Sequence, residues 1–319
     1  MKITEKIIID NYLRPLTFKN KESLNLLDDV YFDKKKKIVF STDTFIEGKH
    51  FLYASKPEKF VKKIFRATIS DILCKGAKPT VYFLSLGINK TNKKWLQKLK
   101  KELYKESKKF GIFLGGGDTV NSKNTTITIS VIGKVKKSPI LRSGAKVNDD
   151  IYITGNLGDS YLGLLLNLKK KNFNNLNNYF NKQYCTPNLP LKFSQKLDIF
   201  ASSSMDISDG LIVDLQNLCR SSSCGANIFF DKIPLSNNAR KVSFNNKIKK
   251  SDIFLSGDDY QLLFTSQTKN RDLIKRISKT TKTKITCVGK IIHKKIINLH
   301  KGDKIIDLNG VKNGYIHTF

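Results

Sequence analysis

The chain has 319 residues, enough for two domains of ordinary size, and its 39% hydrophobic content supports real cores. No apolar run approaches the about 20 residues that cross a bilayer, Met1-Lys2-Ile3-Thr4-Glu5-Lys6 leads only into Ile7-Ile8-Ile9, and five cysteines without CxxC pairs read as free thiols of a reducing cytoplasm. The net charge of +31 invites nucleic acid, yet the excess is lysine spread along solvated tracts such as Lys34 to Lys37, and arginine, the better reader of phosphate and base edges, is confined to positions 14, 66, 142, 220, 240, 271 and 276, so nucleic acid is not expected as a partner.

Residues 3–18 carry a helical apolar pattern, Ile7, Ile8, Tyr12 and Leu13, closed by Pro15. Val30-Tyr31-Phe32 and Ile38-Val39-Phe40 flank the turn Asp33 to Lys37 as in a hairpin, which brings Asp28-Asp29 and Asp43 to one end. Between Pro57 and Gly76, Phe60, Val61, Ile64, Phe65, Thr68, Ile72 and Leu73 recur at helical spacing, and Asp71 falls on that helix. A strand Val81 to Leu86, a helix Lys94 to Phe110, a turn Gly115-Gly116-Gly117-Asp118 and a strand Thr126 to Ile132 follow. Leu141-Arg142-Ser143-Gly144-Ala145 reads as a junction dividing domain 1–141 from domain 142–319. Beyond it come a strand at Asp150 to Thr154 and a helix Tyr161 to Leu168 opened by Leu157-Gly158-Asp159-Ser160. An Asn- and Lys-rich segment, 169–183, reads as mobile surface, and Leu191 to Phe200 as a further helix. Asp206, Ser208 and Asp209 stand before an amphipathic helix with Leu211, Leu215 and Leu218 on one face. Ser256 to Tyr260 is a glycine-acid turn ahead of the strand Leu262 to Thr265, and Ile285 to Ile292 is strand-like.

Acids are scarce against this basic background, so their placement is informative. Asp28-Asp29, Asp43, Asp71, Asp118, Asp206 with Asp209, and Asp258-Asp259 sit beside glycine or hydroxyl residues in turn-like contexts. Crowded carboxylates need a counter-charge, and divalent cations are the usual one. Glycines let backbone N–H groups approach phosphate oxygens, and Asp118 beside them suits the metal that rides on those phosphates. Neither G-x-x-x-x-G-K-[ST] nor G-x-G-x-x-G after a strand occurs. Many carboxylates, glycine loops and almost no histidine base point to phosphoryl transfer directed by several magnesium ions. An acceptor that is itself a phosphate, with a second pKa of about 6, would need no base.

S-T-D-T-x-x-x-G-x-H-F at 41–51, S-D-x-x-x-x-G-A at 70–77, G-G-D-T at 116–119, R-S-G-A at 142–145, D-I-S-D-G-L at 206–211 and G-D-D-Y-x-L-x-F-T at 257–265 occur in this order. In these motifs the chain resembles the thiamine-monophosphate kinases of the aminoimidazole-ribonucleotide synthetase superfamily, from about Asp28 to Tyr315. The resemblance implies a two-domain α/β (α+β) protein. Its N-terminal sheet domain would bind ATP and magnesium and form a homodimer, and its C-terminal domain would be α/β. Such an enzyme uses ATP and magnesium to convert thiamine monophosphate to thiamine diphosphate in the cytoplasm. Carried over by motif, Asp29, Ser41, Thr42, Asp43, Asp71, Asp118, Asp206 and Asp209 would hold magnesium, with Asp43, Asp118 and Asp209 catalytic. Gly117, Asp118, Arg142 and Ser208 would serve ATP, and His50, Asp258 and Tyr315 the thiamine monophosphate. Three departures stand out: Leu27 where the family usually has glycine, and Asp258 and Gln261 where it usually has glutamate. The rival readings are a sister ATP-using enzyme of the superfamily and a nucleic-acid-binding protein with an inactive kinase fold. A selenophosphate synthetase is disfavoured because no cysteine precedes Cys74.

Overall fold

Two sheets and one helix between them place the functional residues. The computed structural model describes residues 3–306 apart from 53, 55, 90 and 247, so Tyr315 lies outside the described residues. The chain starts with α1 (Glu5–Ile8), which runs on through a wider turn at Ile9–Leu13 and a tighter one at Arg14–Thr17, broadly the helical segment expected there. The first sheet holds β1 (Tyr31–Asp33), β2 (Ile38–Ile46), β3 (Lys78–Ile88), β4 (Phe113–Asn121) and β5 (Thr126–Lys134) in the order β1-β2-β5-β3-β4. Its inner face carries Val39, Phe45, Ile127, Ile129 and Val131, all buried. α2 (Pro57–Cys74) packs on that face, and α3 (Lys93–Phe110) lies beside α2.

α2 is buried on nearly every side. Proline at its first position suits a helix start, where an N–H would lack a partner anyway, and Gly76 at φ +69° lets the chain turn off its end. A helix buried all round needs a second surface to cover its other face. The second sheet supplies it.

That sheet contains β6 (Asp150–Thr154), β7 (Ala201–Ile207), β8 (Gly225–Phe229), β9 (Gln261–Ser266), β10 (Ile285–Ile292), β11 (Ile297–Lys301) and β12 (Lys304–Ile306), ordered β12-β11-β8-β10-β6-β9-β7. Its helices include α4 (Asp159–Asn167), α5 (Asn177–Cys185), α6 (Leu191–Ser194) and α7 (Leu211–Ser221). β7 and β9 lie against α2, so the edge of the second sheet meets the spine of the first unit.

Several expectations need correction. The segment 169–183 is not a mobile surface throughout, because α5 packs along α4 with Phe180 and Tyr184 buried one turn apart. Leu191 to Phe200 is two short turns, Leu191–Ser194 and Leu197–Ile199, rather than one helix. The glycines 115–117 lie within strand β4, paired parallel to β3. Gly117 is required there by closeness: a Cβ would collide with the Leu84 carbonyl of β3. Asp206 lies near the end of β7, a strand whose serine-rich run shows no apolar alternation.

Candidate active site

The acidic residues converge where α2 is clasped between the sheets. β2 alternates, so Ser41, Asp43 and Phe45 point towards α2 while Thr42 and Thr44 point to the opposite, open face. From α2 come Thr68, Ser70, Asp71, Cys74 and Lys75. Ser41 Oγ donates to Asp71 Oδ2 at 2.7 Å, and Ser70 Oγ to Asp206 Oδ2 at 2.6 Å across the two units. Asp28 and Asp29 enter just before β1. Leu27 stands at an ordinary φ of −101°, and the left-handed turn falls instead on Leu24, Asn25 and Leu26 just before it.

Arg142, from the connection between the sheets, grips Asp29 with Nε at 3.0 Å from Oδ2 and a second nitrogen on Oδ1, while its own N–H donates to Asp28 Oδ2 at 2.7 Å. Ser222 Oγ fixes this loop by donating to the Arg142 carbonyl and accepting from Ala145 N. The loops 206–210 and 256–260 stack back to back through Asp258 N to Ser208 O at 2.7 Å and Tyr260 N to Ile207 O at 2.8 Å. Only glycine permits that approach: a Cβ on Gly257 would strike the Ser208 carbonyl, and one on Gly210, at φ +125°, the Leu255 carbonyl.

Electrostatics divides the cluster in two. Burial works to raise the Asp29 carboxyl, but the Arg142 and Lys75 charges outweigh it and hold it below the usual range. Asp43 is pushed up to about 6 by burial, against a Thr68 hydrogen bond and with repulsion from Asp206 and Asp29. Burial and the neighbouring carboxylates also push Asp206 to about 6 and Asp209 to about 7, and Asp71 well above its ordinary value. Sequence reasoning left Asp214 out of the site. It too is raised, by burial and by Asp209 and Asp206, and its Oδ2 accepts from Asp209 N and Gly210 N, so it caps α7 from within. A buried excess of hard, negative oxygen donors fits a divalent cation such as magnesium. Ligand atoms of Asp29, Cys74 and Asp206 lie within 4.8 Å of one another. Burial keeps the Cys74 thiol protonated, so it lines the site as a soft, neutral group.

Two of the expected metal-site residues are not brought to this cluster within one chain. Along the sheet the row runs Asp43, Ile129, Leu84, Gly117, three strand spacings or about 14 Å. Asp118 shares its row with Thr44, Thr128 and Ser85 on the open face, as Thr42 does with Ser130 and Phe83. Thr42 Oγ1 pairs with Ser130 Oγ at 2.8 Å, and Asp118 Oδ1 accepts from Thr119 N. That face is uncovered, with Phe83, Phe113 and Val120 exposed.

The remaining expected residues lie at the margins. His50 Nδ1 accepts from Ile46 N at 3.0 Å beside Phe45, beyond the end of β2. Asp258, at φ +68°, has one oxygen on Lys63 Nζ at 2.5 Å and the other accepting from Tyr260 OH at 2.8 Å. Lys63 lies over the Tyr184 ring, 3.8 Å from its centroid. Asp258 borders a polar cavity of about 490 Å³ that also meets Ser160, Tyr179, Asn188 and Gln261. Gln261 is a strap there, donating to the Asn188 carbonyl and accepting from Thr154 Oγ1.

Two abutting α/β units with a shared carboxylate cluster define a class as well as a site. Residues 27–135 match the AIR synthase related protein family, N-terminal domain, and residues 146–301 its C-terminal domain. The thiamine-monophosphate kinase of Buchnera aphidicola subsp. Acyrthosiphon pisum is 37% identical over 304 residues, covering 91% of this chain and 92% of that one. The kinase of subsp. Schizaphis graminum is 36% identical, covering 99% of each. A solved structure described as AaThiL complexed with AMPPCP and TMP has the same fold, with TM-score 0.83 at 24% identity over 99% of both chains. The chain belongs to the AIR synthase related family, in its thiamine-monophosphate kinase branch.

Proposed function

We propose that the chain transfers the γ-phosphoryl group of ATP directly to the phosphate of thiamine monophosphate, giving thiamine diphosphate. The observation that carries this reading is the convergence of Asp43, Asp71, Asp206 and Asp209 from two units into one buried, charge-deficient site, in a chain whose relatives are named for this reaction. These four carboxylates would hold magnesium, with Asp29 and Ser41 at the edge of the set. Magnesium held by these residues would supply charge neutralisation to the phosphate groups.

The chain's own contribution is positioning. Ser41 and Ser70 fix the Asp71 and Asp206 carboxylates by direct hydrogen bonds. Arg142 and Ser208 face the ATP phosphates, and Asp209 stands nearest the start of α7. The acceptor phosphate arrives ionised, which agrees with a cluster built without histidine. The cavity beside Asp258 has the size and polarity to take the organic part of thiamine monophosphate, with Lys63 fixing Asp258 at its rim; His50 and Tyr315 keep the substrate-binding role that the motif resemblance implies.

A homodimer is part of the same reading. The open face of the first sheet, with its exposed apolar side chains and the β4 edge, is the surface a second copy covers. We assign Thr42, Gly117 and Asp118 to that interface. The boundary between the two domains is placed at 141/142, beside Arg142. No helix among the described residues is long and apolar enough to cross a membrane, and the free cysteines suit the cytoplasm.

The test is a single turnover with γ-labelled ATP, excess enzyme and thiamine monophosphate, quenched on the millisecond scale. Label is expected to pass to thiamine diphosphate with none on the protein. A labelled enzyme intermediate refutes direct transfer, and no labelled thiamine diphosphate refutes the activity.

A further inference from the structure

Lys75 closes α2 with a side chain that has no exposed surface. A buried ammonium persists only where anions and hydrogen-bond acceptors surround it. Its Nζ lies 2.6 Å from Asp28 Oδ1 and 3.2 Å from Asp29 Oδ2, and donates to the Ser204 carbonyl at 3.3 Å. Two carboxylate oxygens and a carbonyl oxygen around one positive centre are the donor set that a hard cation takes. The oxygens also come from both units, Asp28 and Asp29 before β1 and Ser204 within β7.

We infer that the Lys75 ammonium stands in the place of a divalent ion at the Asp28–Asp29 corner of the active site. It is a permanent cation, built into the chain, that positions the acid pair. The inference rests on the metal reading of the cluster given above and adds to it. With Arg142 on the same pair, two fixed positive charges meet two carboxylates, and the corner is balanced without metal. No salt bridge to Asp43, Asp71, Asp206 or Asp209 occurs among the described residues, so exchangeable ions gather on that side. Lys75 therefore acts as a positioning residue: it removes one ion from the number the site binds and holds the two units together when metal is scarce.

The test counts ions rather than turnover. Mn²⁺ bound per chain is measured by equilibrium dialysis for the parent protein and for Lys75→Met, which keeps the length of the side chain and removes the charge. One additional Mn²⁺ per chain is expected on K75M. Its melting temperature is expected to be low in chelator and to rise with Mg²⁺ by at least twice the parent's rise. Equal, non-zero counts on the two proteins overturn the inference and leave the metal reading standing. K75M that stays unfolded at every Mg²⁺ concentration also overturns it, because the amine is then a prop that an ion does not replace. No Mn²⁺ on either protein overturns both.

Discussion

Asp43→Asn separates function from stability, because the two respond with opposite sign. Asn keeps the size of Asp43 and removes the charge that β2 presents to the cluster. Loss of a partner that merely orients a metal ligand costs about 10–100-fold, so loss of a ligand itself is expected to lower kcat by at least about 1000-fold, or about 4 kcal/mol of barrier. The metal-free protein should move the other way. Burial and like charges push the Asp43 carboxyl up to about 6. Its contribution to stability is therefore full while it is protonated, below its unfolded pKa of about 4, and is lost as pH rises through 6. At pH 8 the ionised carboxylate then costs on the order of 2–3 kcal/mol. Removing the charge should raise the melting temperature of chelated protein by a few degrees at pH 8 and leave it unchanged at pH 4. Steady-state kinetics and calorimetry in EDTA read the two effects. A fall in kcat of less than tenfold, or a D43N protein less stable than the parent in EDTA at pH 8, would refute the reasoning.

The same linkage acts on the whole cluster. With Asp43 and Asp206 pushed up to about 6 and Asp209 to about 7, the melting temperature of metal-free protein should fall between pH 5 and pH 8. Saturating Mg²⁺ should flatten that fall, and a rise across the range in EDTA would contradict the electrostatic account. Lys63→Met frees Asp258 from its ion pair and is expected to raise KM for thiamine monophosphate at least tenfold while leaving KM for ATP within twofold; equal changes in both would remove Lys63 from the substrate rim. Phe113→Glu puts a charge on the open face of the first sheet, so sedimentation should give a monomer for the variant and is expected to give a dimer for the parent. A monomeric parent would refute the interface.

Much of the site was legible because aspartates stand out in a lysine-rich chain. Asp29, Asp43, Asp71, Asp206 and Asp209 meet in space, but Asp43, Asp71 and Asp206 do so from within β2, α2 and β7 rather than from the turns their glycine and hydroxyl neighbours suggested. Thr42 and Asp118 show the limit of motif reading. Strand alternation alone sets Thr42 opposite Asp43, and the register of β3 and β4 carries Asp118 to the same open face. The triglycine looked like a turn because glycine carries no hydrophobic pattern, whereas its place in β4 comes from pairing with β3. β7 was hidden for a related reason: its serine-rich run carries no apolar pattern, and the partner of buried Ser203, Thr265 at 2.8 Å, is distant in sequence. Lys75 was invisible among so many surface lysines, since only the packing of α2 against both sheets buries it. Asp258 shows a replacement accommodated, with Lys63 and Tyr260 holding the shorter carboxylate that the sequence flagged as a departure.

The central claim is the reaction itself. Purified protein incubated with ATP, Mg²⁺ and thiamine monophosphate, and followed by chromatography, is expected to form thiamine diphosphate and ADP in equal amounts at enzyme-like turnover, and to stop when the metal is chelated. ATP binding without thiamine diphosphate would contradict the claim and point to a sister activity of the family. Absence of ATP binding, with salt-sensitive binding of nucleic acid, would replace it altogether.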